Sequence, residues 1–225
     1  MARSVSIIDY KVKQADFFLG RLEESGYDFF AAQCFADAFA SACRSITFSI
    51  QAVCKELTGF DSWYADEQVR LKTNPLSIFF NNYRSANIHV GGAAVLAGEV
   101  RNGEARFFFR PSPDLPTVPD LDVVSACRVH FKDVVELVFR LYVRFPTELD
   151  DRWHYTKHHF SSRGLSIEDA EVALGYPRGW TRISGSEEEL DERWRLLRYS
   201  ETGGPEIQDI FHKYLARIVE GPDGS

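Results

Sequence analysis

The sequence predicts a mainly α-helical protein with a small β-hairpin insertion and a helical C-terminal extension. Two long stretches, residues 28–57 and 120–145, place apolar side chains every three or four residues, which is the period of an amphipathic helix. Between them, Asn102-Gly103 separates two short strand-like runs, and this dipeptide is the strongest short signal for a two-residue hairpin turn. We therefore expect a helical bundle over residues 1–150, with a hairpin at about 94–110, and a helical extension over residues 151–225.

The first half of the chain is expected to begin with four helices. The predicted helices cover residues 8–25, 28–57 and 61–71, and a fourth opens at Pro75. Asp61 or Ser62 is expected to cap the third helix, and proline is favoured in the first turn of the fourth. The pair Gly91-Gly92 is expected to interrupt or end that fourth helix.

The second half is expected to contain one long helix followed by short ones. Four prolines between residues 111 and 119 indicate an extended connector before the helix at 120–145. In the last third, Ser166 and Ser186 each precede an acidic residue three positions later, which is the pattern of a capping box. A final helix is expected from Pro205 through Val219.

The charge balance disfavours broad electrostatic attraction to a polyanion. The chain has 225 residues with 26 basic against 33 acidic side chains, so its net charge is −7 and its pI is near 5.4. Nucleic-acid binding proteins usually present a basic face. A nucleic-acid partner would therefore have to be bound by a local patch.

Cysteine usage and hydropathy point to the cytoplasm. The four cysteines form no Cys-x-x-Cys pair, and three of them fall within one predicted helix, so we expect free buried thiols. The sequence shows no basic-then-apolar leader and no apolar run long enough for a membrane span. We expect a cytoplasmic protein without a membrane partner.

One short pattern suggests chemistry at the end of the fourth predicted helix. Arg84 is followed after four residues by His89, so a guanidinium and a titratable imidazole lie close together in the sequence. A cation and an imidazole side by side could act on an RNA phosphate. Five helical positions correspond to a turn of roughly 140°, however, so the two side chains of one chain would not converge on one phosphate unless the helix breaks between them. Two-fold pairing of two chains would bring both residue types into one cleft. The spacing alone is a weak signal, since Arg152 precedes His158 and His159 similarly.

The residues around this pattern resemble a known family. The run Phe39-Ala-Ser-Ala-Cys-Arg44-Ser-Ile-Thr-Phe-Ser-Ile is followed by Trp63-Tyr64, by Asn74-Pro75-Leu, and then by Arg84 and His89. This order is similar to that of the HEPN domains, the "higher eukaryotes and prokaryotes nucleotide-binding" superfamily. The resemblance covers roughly residues 5–147 and leaves the last third without a counterpart.

The resemblance implies an up-and-down four-helix bundle that forms a homodimer through its motif helices. Active members are metal-independent endoribonucleases in toxin–antitoxin and defence systems, so it implies RNA and a cognate antitoxin or other protein as partners, with no metal and no cofactor. By the same resemblance Arg84 and His89 are the candidate catalytic residues. The accessory or RNA-binding candidates are Ser85, Asn87 and Arg44.

Other interpretations of the same residues stay open. Ser85 stands where active members carry Asn, Asp or His, which leaves a catalytically inactive module that binds nucleotide, RNA or a protein as the alternative. Arg84 could instead pair with an acidic residue while His89 caps the helix end. A helical dimerisation scaffold without a ligand is a third possibility, and Arg44 could serve only as a salt-bridged or snorkelling side chain.

The extension contains a second group of histidines. His154 and His158 are four positions apart, a spacing that can place two imidazoles on one metal, although the His-Glu-x-x-His arrangement is absent. The basic cluster Lys157-His158-His159 with Arg152 could contact phosphate instead. A surface histidine pair is the simplest interpretation.

Overall fold

The described part of the chain folds into helices and a two-stranded antiparallel sheet, as the sequence predicts. The computed structural model describes residues 5–90, 95–180 and 185–223, without the side chains of residues 87–90, 95–97 and 101. The contacts between residues divide the chain into two compact units, Met1–Leu137 and Val138–Ser225. Among the described residues, every helix is too short or too polar to cross a membrane.

The first unit contains four helices, the hairpin and the start of a fifth helix. These elements are α1 (Ser6–Glu23), α2 (Phe29–Cys54), α3 (Phe60–Thr73), α4 (Pro75–Val90), β1 (Val95–Arg101), β2 (Glu104–Phe109) and α5 (Val123–Arg144). Gly26 adopts a left-handed conformation between α1 and α2, with φ of 54°. The carboxylate of Asp28 then caps α2 by accepting a hydrogen bond from the Ala31 N–H at 2.9 Å.

The start of α3 differs from the expectation that Asp61 or Ser62 caps it. The helix begins at Phe60 after Gly59, whose φ of 81° is in the left-handed region, and no side chain caps it. Phe60 lies 2% exposed and stacks on Tyr64 with 5.2 Å between ring centroids. Burial of this aromatic pair, together with a turn that only glycine adopts without strain, sets the helix start.

Asn74 joins α3, α4 and α5. Its side-chain oxygen accepts a hydrogen bond from the Ser77 N–H at 3.0 Å, and its amide nitrogen donates to Asp133 on α5 at 2.8 Å. Pro75 occupies the first turn of α4, as the sequence predicts. The Asn74 contacts fix where α4 begins and hold its first turn against α5.

The hairpin forms around the predicted turn. Asn102 and Gly103 have φ of 54° and 81°, the left-handed pair that a tight two-residue hairpin turn requires. At the far end of β2, Phe109 is 5% exposed and packs on α4, with ring centroids 4.7 Å from Phe79 and 5.2 Å from Tyr83. The hairpin is therefore anchored to the apolar face of α4.

Aromatic side chains fill the centre of the first unit. Phe39 of α2 is fully buried, and its ring lies 5.9 Å from both Phe80 of α4 and Phe131 of α5. The hydroxyl of Tyr83, which is also fully buried, donates a short hydrogen bond to Asp37 on α2. These contacts pack α2 against α4 and α5.

The second unit holds the end of α5 and a series of short helices. They are α6 (Pro146–Leu149), α7 (Asp151–His154), α8 (Lys157–Ser161), α9 (Ile167–Ala173), α10 (Glu187–Glu201) and α11 (Gln208–Leu215). Both predicted capping boxes form, Ser166 with Asp169 and Ser186 with Glu189. The expectation of a final helix from Pro205 to Val219 was wrong at both ends, because α11 starts at Gln208 and stops where Ala216 turns left-handed with φ of 53°.

The cysteines are free thiols, and the prediction that they are buried holds for three of the four. Cys43, Cys54 and Cys127 are buried, whereas Cys34 is exposed. Burial raises the pKa of Cys54 to about 12 and raises that of Cys43 and Cys127 as well. These three thiols act as small apolar core residues.

Candidate functional site

The Arg84 and His89 positions lie on one uninterrupted helix. Helix α4 runs from Pro75 to Val90, so no break separates the two positions. Along a regular helix they are about 7.5 Å apart in rise and roughly 140° apart around the axis. The side chains of His89 and Asn87, and the pair Gly91-Gly92, lie outside the described residues.

Arg84 is partly buried and carries a charge that its described surroundings do not balance. No carboxylate among the described residues forms an ion pair with its guanidinium. The alternative in which Arg84 pairs with an acidic side chain therefore finds no such side chain in that part of the chain. The neighbouring Ser85 hydroxyl donates to the Asn81 carbonyl at 2.9 Å, one turn back along α4.

Arg44 extends from α2 and is also without an ion pair in the part of the chain that the structure describes. Its guanidinium donates to the Thr47 hydroxyl at 3.3 Å and lies over the Phe48 ring, 4.4 Å from the centroid. Phe48 is itself 48% exposed. A hydroxyl and a ring face leave the positive charge of Arg44 available to an anion.

Arg44 lines a cavity of about 410 Å³ that α2, α3, α4 and α5 enclose. This volume falls in the range of small-molecule pockets. Lys72 of α3 is a second cation in the lining, and no Asp or Glu is among the described residues that line the cavity. Its uncharged polar side chains are Thr47, Gln51, Tyr64, Gln68, Ser77, Asn81 and His130.

Two polar atoms of this lining are buried with no hydrogen-bond partner among the residues that the structure describes, the Ser77 hydroxyl and the Nδ1 of His130. His130 is 6% exposed and stacks on Phe80, with 4.5 Å between ring centroids and 14° between planes. Desolvation by burial lowers the pKa of His130 to about 4. The imidazole is therefore neutral at physiological pH.

Tyr64 and Gln51 form a hydrogen-bonded wall of the same cavity. The Gln51 amide donates to the Tyr64 hydroxyl at 3.1 Å, and that hydroxyl donates to the Thr47 carbonyl at 3.4 Å. Burial raises the pKa of Tyr64, an effect that the Gln51 hydrogen bond and the nearby Arg44 charge only partly offset. The Tyr64 side chain therefore stays a neutral phenol beside the Arg44 cation.

The cavity and Arg84 share one face of α4. Ser77, Asn81 and Arg84 are spaced four and three residues apart, so they follow one another along the same side of the helix. Asn81 lines the cavity, and Arg84 lies one turn further along. Two of the predicted site residues, Arg44 and Arg84, thus belong to elements that border the same region of the first unit.

The histidine cluster of the second unit has a different character. The rings of His154 and His159 are 4.6 Å apart between centroids, and His158 lines an adjacent open groove. Lys157 is paired with both Glu187 and Asp191, and the Arg152 guanidinium binds Asp150 at 2.8 Å. Lys157 and Arg152 are thus occupied by carboxylates, which disfavours phosphate binding by this cluster.

The cavity residues Lys72, Ser77 and His130 were not singled out by the sequence analysis. A histidine within the apolar pattern of α5 was the one signal that could have drawn attention to His130. Ser77 gives no comparable signal, since its significance depends on a hydroxyl that burial leaves without a partner.

Comparison with family models, with curated proteins and with solved structures finds no match to this chain.

Proposed function

We propose that the protein is a HEPN-like, metal-independent endoribonuclease that cleaves RNA in a composite site between two identical subunits. In this proposal the first unit is an up-and-down four-helix bundle that pairs through α4. Arg84 and His89 are its catalytic residues, while Ser85, Asn87 and Arg44 contact RNA. A toxin or defence role, with a cognate antitoxin as protein partner, follows from the family resemblance.

The continuity of α4 carries this proposal. Because the helix runs unbroken from Pro75 to Val90, Arg84 and His89 of one chain occupy different sides of it. A second copy of α4 related by a two-fold axis supplies the missing group from the other side. The unbalanced charge of Arg84 further supports an anionic partner at this place.

The proposed reaction needs one base and one cation. His89 removes the proton from a ribose 2′-hydroxyl, and the resulting oxygen attacks the adjacent phosphorus atom. Arg84 donates hydrogen bonds to the phosphoryl oxygens as negative charge builds on them. The P–O5′ bond breaks, the leaving oxygen takes up a proton, and a 2′,3′-cyclic phosphate remains.

One observation favours the inactive module as a second candidate. The Ser85 hydroxyl is committed to the Asn81 carbonyl of its own helix. Its donor hydrogen is therefore unavailable to a substrate, at the position where active members of the resembled family carry Asn, Asp or His. A protein with this motif would bind nucleotide, RNA or a protein partner without cleaving.

Cleavage of RNA in EDTA distinguishes the two candidates. The wild type is compared with His89→Ala and with His212→Ala, which removes an exposed histidine of α11 in the other unit. The nuclease proposal predicts cleavage products from the wild type and from His212→Ala, and none from His89→Ala. Equal inactivity of all three proteins contradicts it.

Binding measurements complete the comparison when no cleavage occurs. If the inactive module is correct, RNA binds the wild type and the affinity falls as salt increases. Arg84→Ala then lowers both the affinity and the slope of that salt dependence. A scaffold without a ligand shows no RNA binding in either protein.

A further inference from the structure

The cavity between α2, α3, α4 and α5 is lined by two cations, Arg44 and Lys72. We propose that it takes a small organic phosphate monoester, whose phosphate is held by Arg44, Lys72 and Ser77 and whose apolar body lies against Phe48 and Ile78. This site shares Arg44 with the proposed RNA contacts, but it does not depend on the proposed cleavage, because Arg84 is not among the described residues that line it.

Charge is the first argument. Arg44 of α2 and the exposed Lys72 of α3 both line the cavity, and no carboxylate is among its described lining residues. The cavity lacks lining carboxylates although acidic side chains outnumber basic ones in the chain, 33 against 26. Two like charges brought to one cavity repel each other, and a bound dianion removes that repulsion. A phosphate monoester carries close to two negative charges at neutral pH.

The orphaned polar atoms are the second argument. Native proteins satisfy nearly all buried polar groups, and each exception requires an explanation. The Ser77 hydroxyl and the His130 Nδ1 both lack a hydrogen-bond partner among the described residues, and both residues line this cavity. A phosphate oxygen accepts a hydrogen bond from the Ser77 hydroxyl and from the Nδ1–H tautomer of a neutral His130. In the proposal, the phosphate group supplies the missing partner of both atoms.

The apolar wall is the third argument, and it favours an ester over free phosphate. Phe48 and Ile78 line the cavity, yet they remain 48% and 44% exposed. Inorganic phosphate would leave both side chains uncovered in a space of about 410 Å³. A ligand with a ring or short aliphatic body covers them and fills the volume.

Hydrogen bonds and ring stacking hold the helices around the cavity together. Asn74 binds both the Ser77 N–H and Asp133, which sets the register of α4 against α5 at the cavity. Phe80 stacks on His130 three residues further along. Gln51 and Tyr64 join α2 to α3 on the opposite wall. Protein side chains that are carried by rigid helices need little ordering when a ligand binds, which favours affinity.

Isothermal titration calorimetry of the full chain with phenyl phosphate tests the proposal. We expect phenyl phosphate to bind at least about tenfold more tightly than inorganic phosphate, benzoate or phenol, because only phenyl phosphate supplies both the dianion and the ring. Absence of binding at about 10 mM phenyl phosphate overturns the proposal. So does an equal affinity for any one of the three partial ligands.

Two variants with matched readouts identify the residues. Arg44→Gln is expected to weaken phenyl phosphate binding about tenfold or more, whereas Arg70→Gln, which removes an exposed arginine of α3 outside the cavity, leaves it unchanged. Equal losses in the two variants would mean non-specific charge attraction and would overturn the site.

Ser77→Ala gives a signature that a structural serine would not give. Because the Ser77 hydroxyl has no hydrogen-bond partner in the described part of the chain, its removal is expected to leave the unliganded melting temperature unchanged or higher while weakening phenyl phosphate binding several-fold. Unaltered affinity in this variant contradicts the assignment. His89→Ala is expected to bind phenyl phosphate like the wild type, which separates this site from the proposed nuclease.

Discussion

Lowering the pH is expected to destabilise the native protein at one identifiable group, His130. In the folded protein burial holds its pKa at about 4, whereas the value in the unfolded chain is 6.5. Between these two values the unfolded state binds a proton that the folded state does not, so stability falls as the pH drops through this window. Above pH 6.5 both states are neutral and the contribution is constant.

The magnitude follows from the same two values. One pKa unit corresponds to about 1.4 kcal/mol, so at about pH 5 the mismatch between 6.5 and 5 costs about 2 kcal/mol relative to about pH 7.5. The full difference, reached near pH 4, is about 3 kcal/mol. Carboxylates also titrate in this range, so the comparison requires a variant that lacks only the imidazole.

Urea unfolding of the wild type and of His130→Gln at both pH values isolates this contribution. The variant loses the stacking on Phe80 at every pH, but it has no imidazole to protonate. We expect the free energy of unfolding of the variant to fall by about 2 kcal/mol less than that of the wild type between about pH 7.5 and 5. Identical pH dependence in the two proteins would show that His130 is solvated and would refute the buried, neutral imidazole.

Three further perturbations are predicted from the structure. The Arg193 guanidinium contacts both carboxylate oxygens of the largely buried Glu171, so Arg193→Met is expected to destabilise the second unit by about 3 kcal/mol in thermal or urea unfolding. Arg195→Met breaks an exposed ion pair and is expected to have little effect. Gly103→Ala is expected to cost about 1 kcal/mol, because φ is 81° there and space is open, while Gly203→Ala, equally open and without a positive φ, serves as its control and stays near wild type. Tyr83→Phe is expected to cost about 2 kcal/mol by leaving Asp37 without the hydrogen bond of a fully buried hydroxyl, and an unchanged unfolding midpoint would contradict that role.

Local sequence signals predicted most of the secondary structure because they act over a few residues. The Asn102-Gly103 turn and the capping boxes at Ser166 and Ser186 are satisfied by their immediate neighbours. The failures occur where distant contacts or short lengths decide. Gly59 rather than Asp61 or Ser62 precedes α3, and the helices α6 to α8 have only four or five residues each, too few to show an apolar period.

The candidate site was only partly predictable for a related reason. A motif search finds Arg84 and His89, because spacing along one helix is visible in the sequence. The cavity depends on four helices, and nothing in the sequence indicates that Lys72, Ser77 and His130 line the same space as Arg44. A buried atom without a partner is a property of the packed structure alone.

Complementation between two inactive variants tests the composite site most directly. Arg84→Ala and His89→Ala are each assayed for RNA cleavage in EDTA, then mixed, unfolded and refolded together so that mixed dimers form. The composite site predicts that each variant alone is inactive and that the mixture regains part of the wild-type activity, because a mixed dimer joins one intact arginine to one intact histidine across the two-fold axis. A wild type that cleaves while the mixture stays inactive would contradict a site shared between subunits.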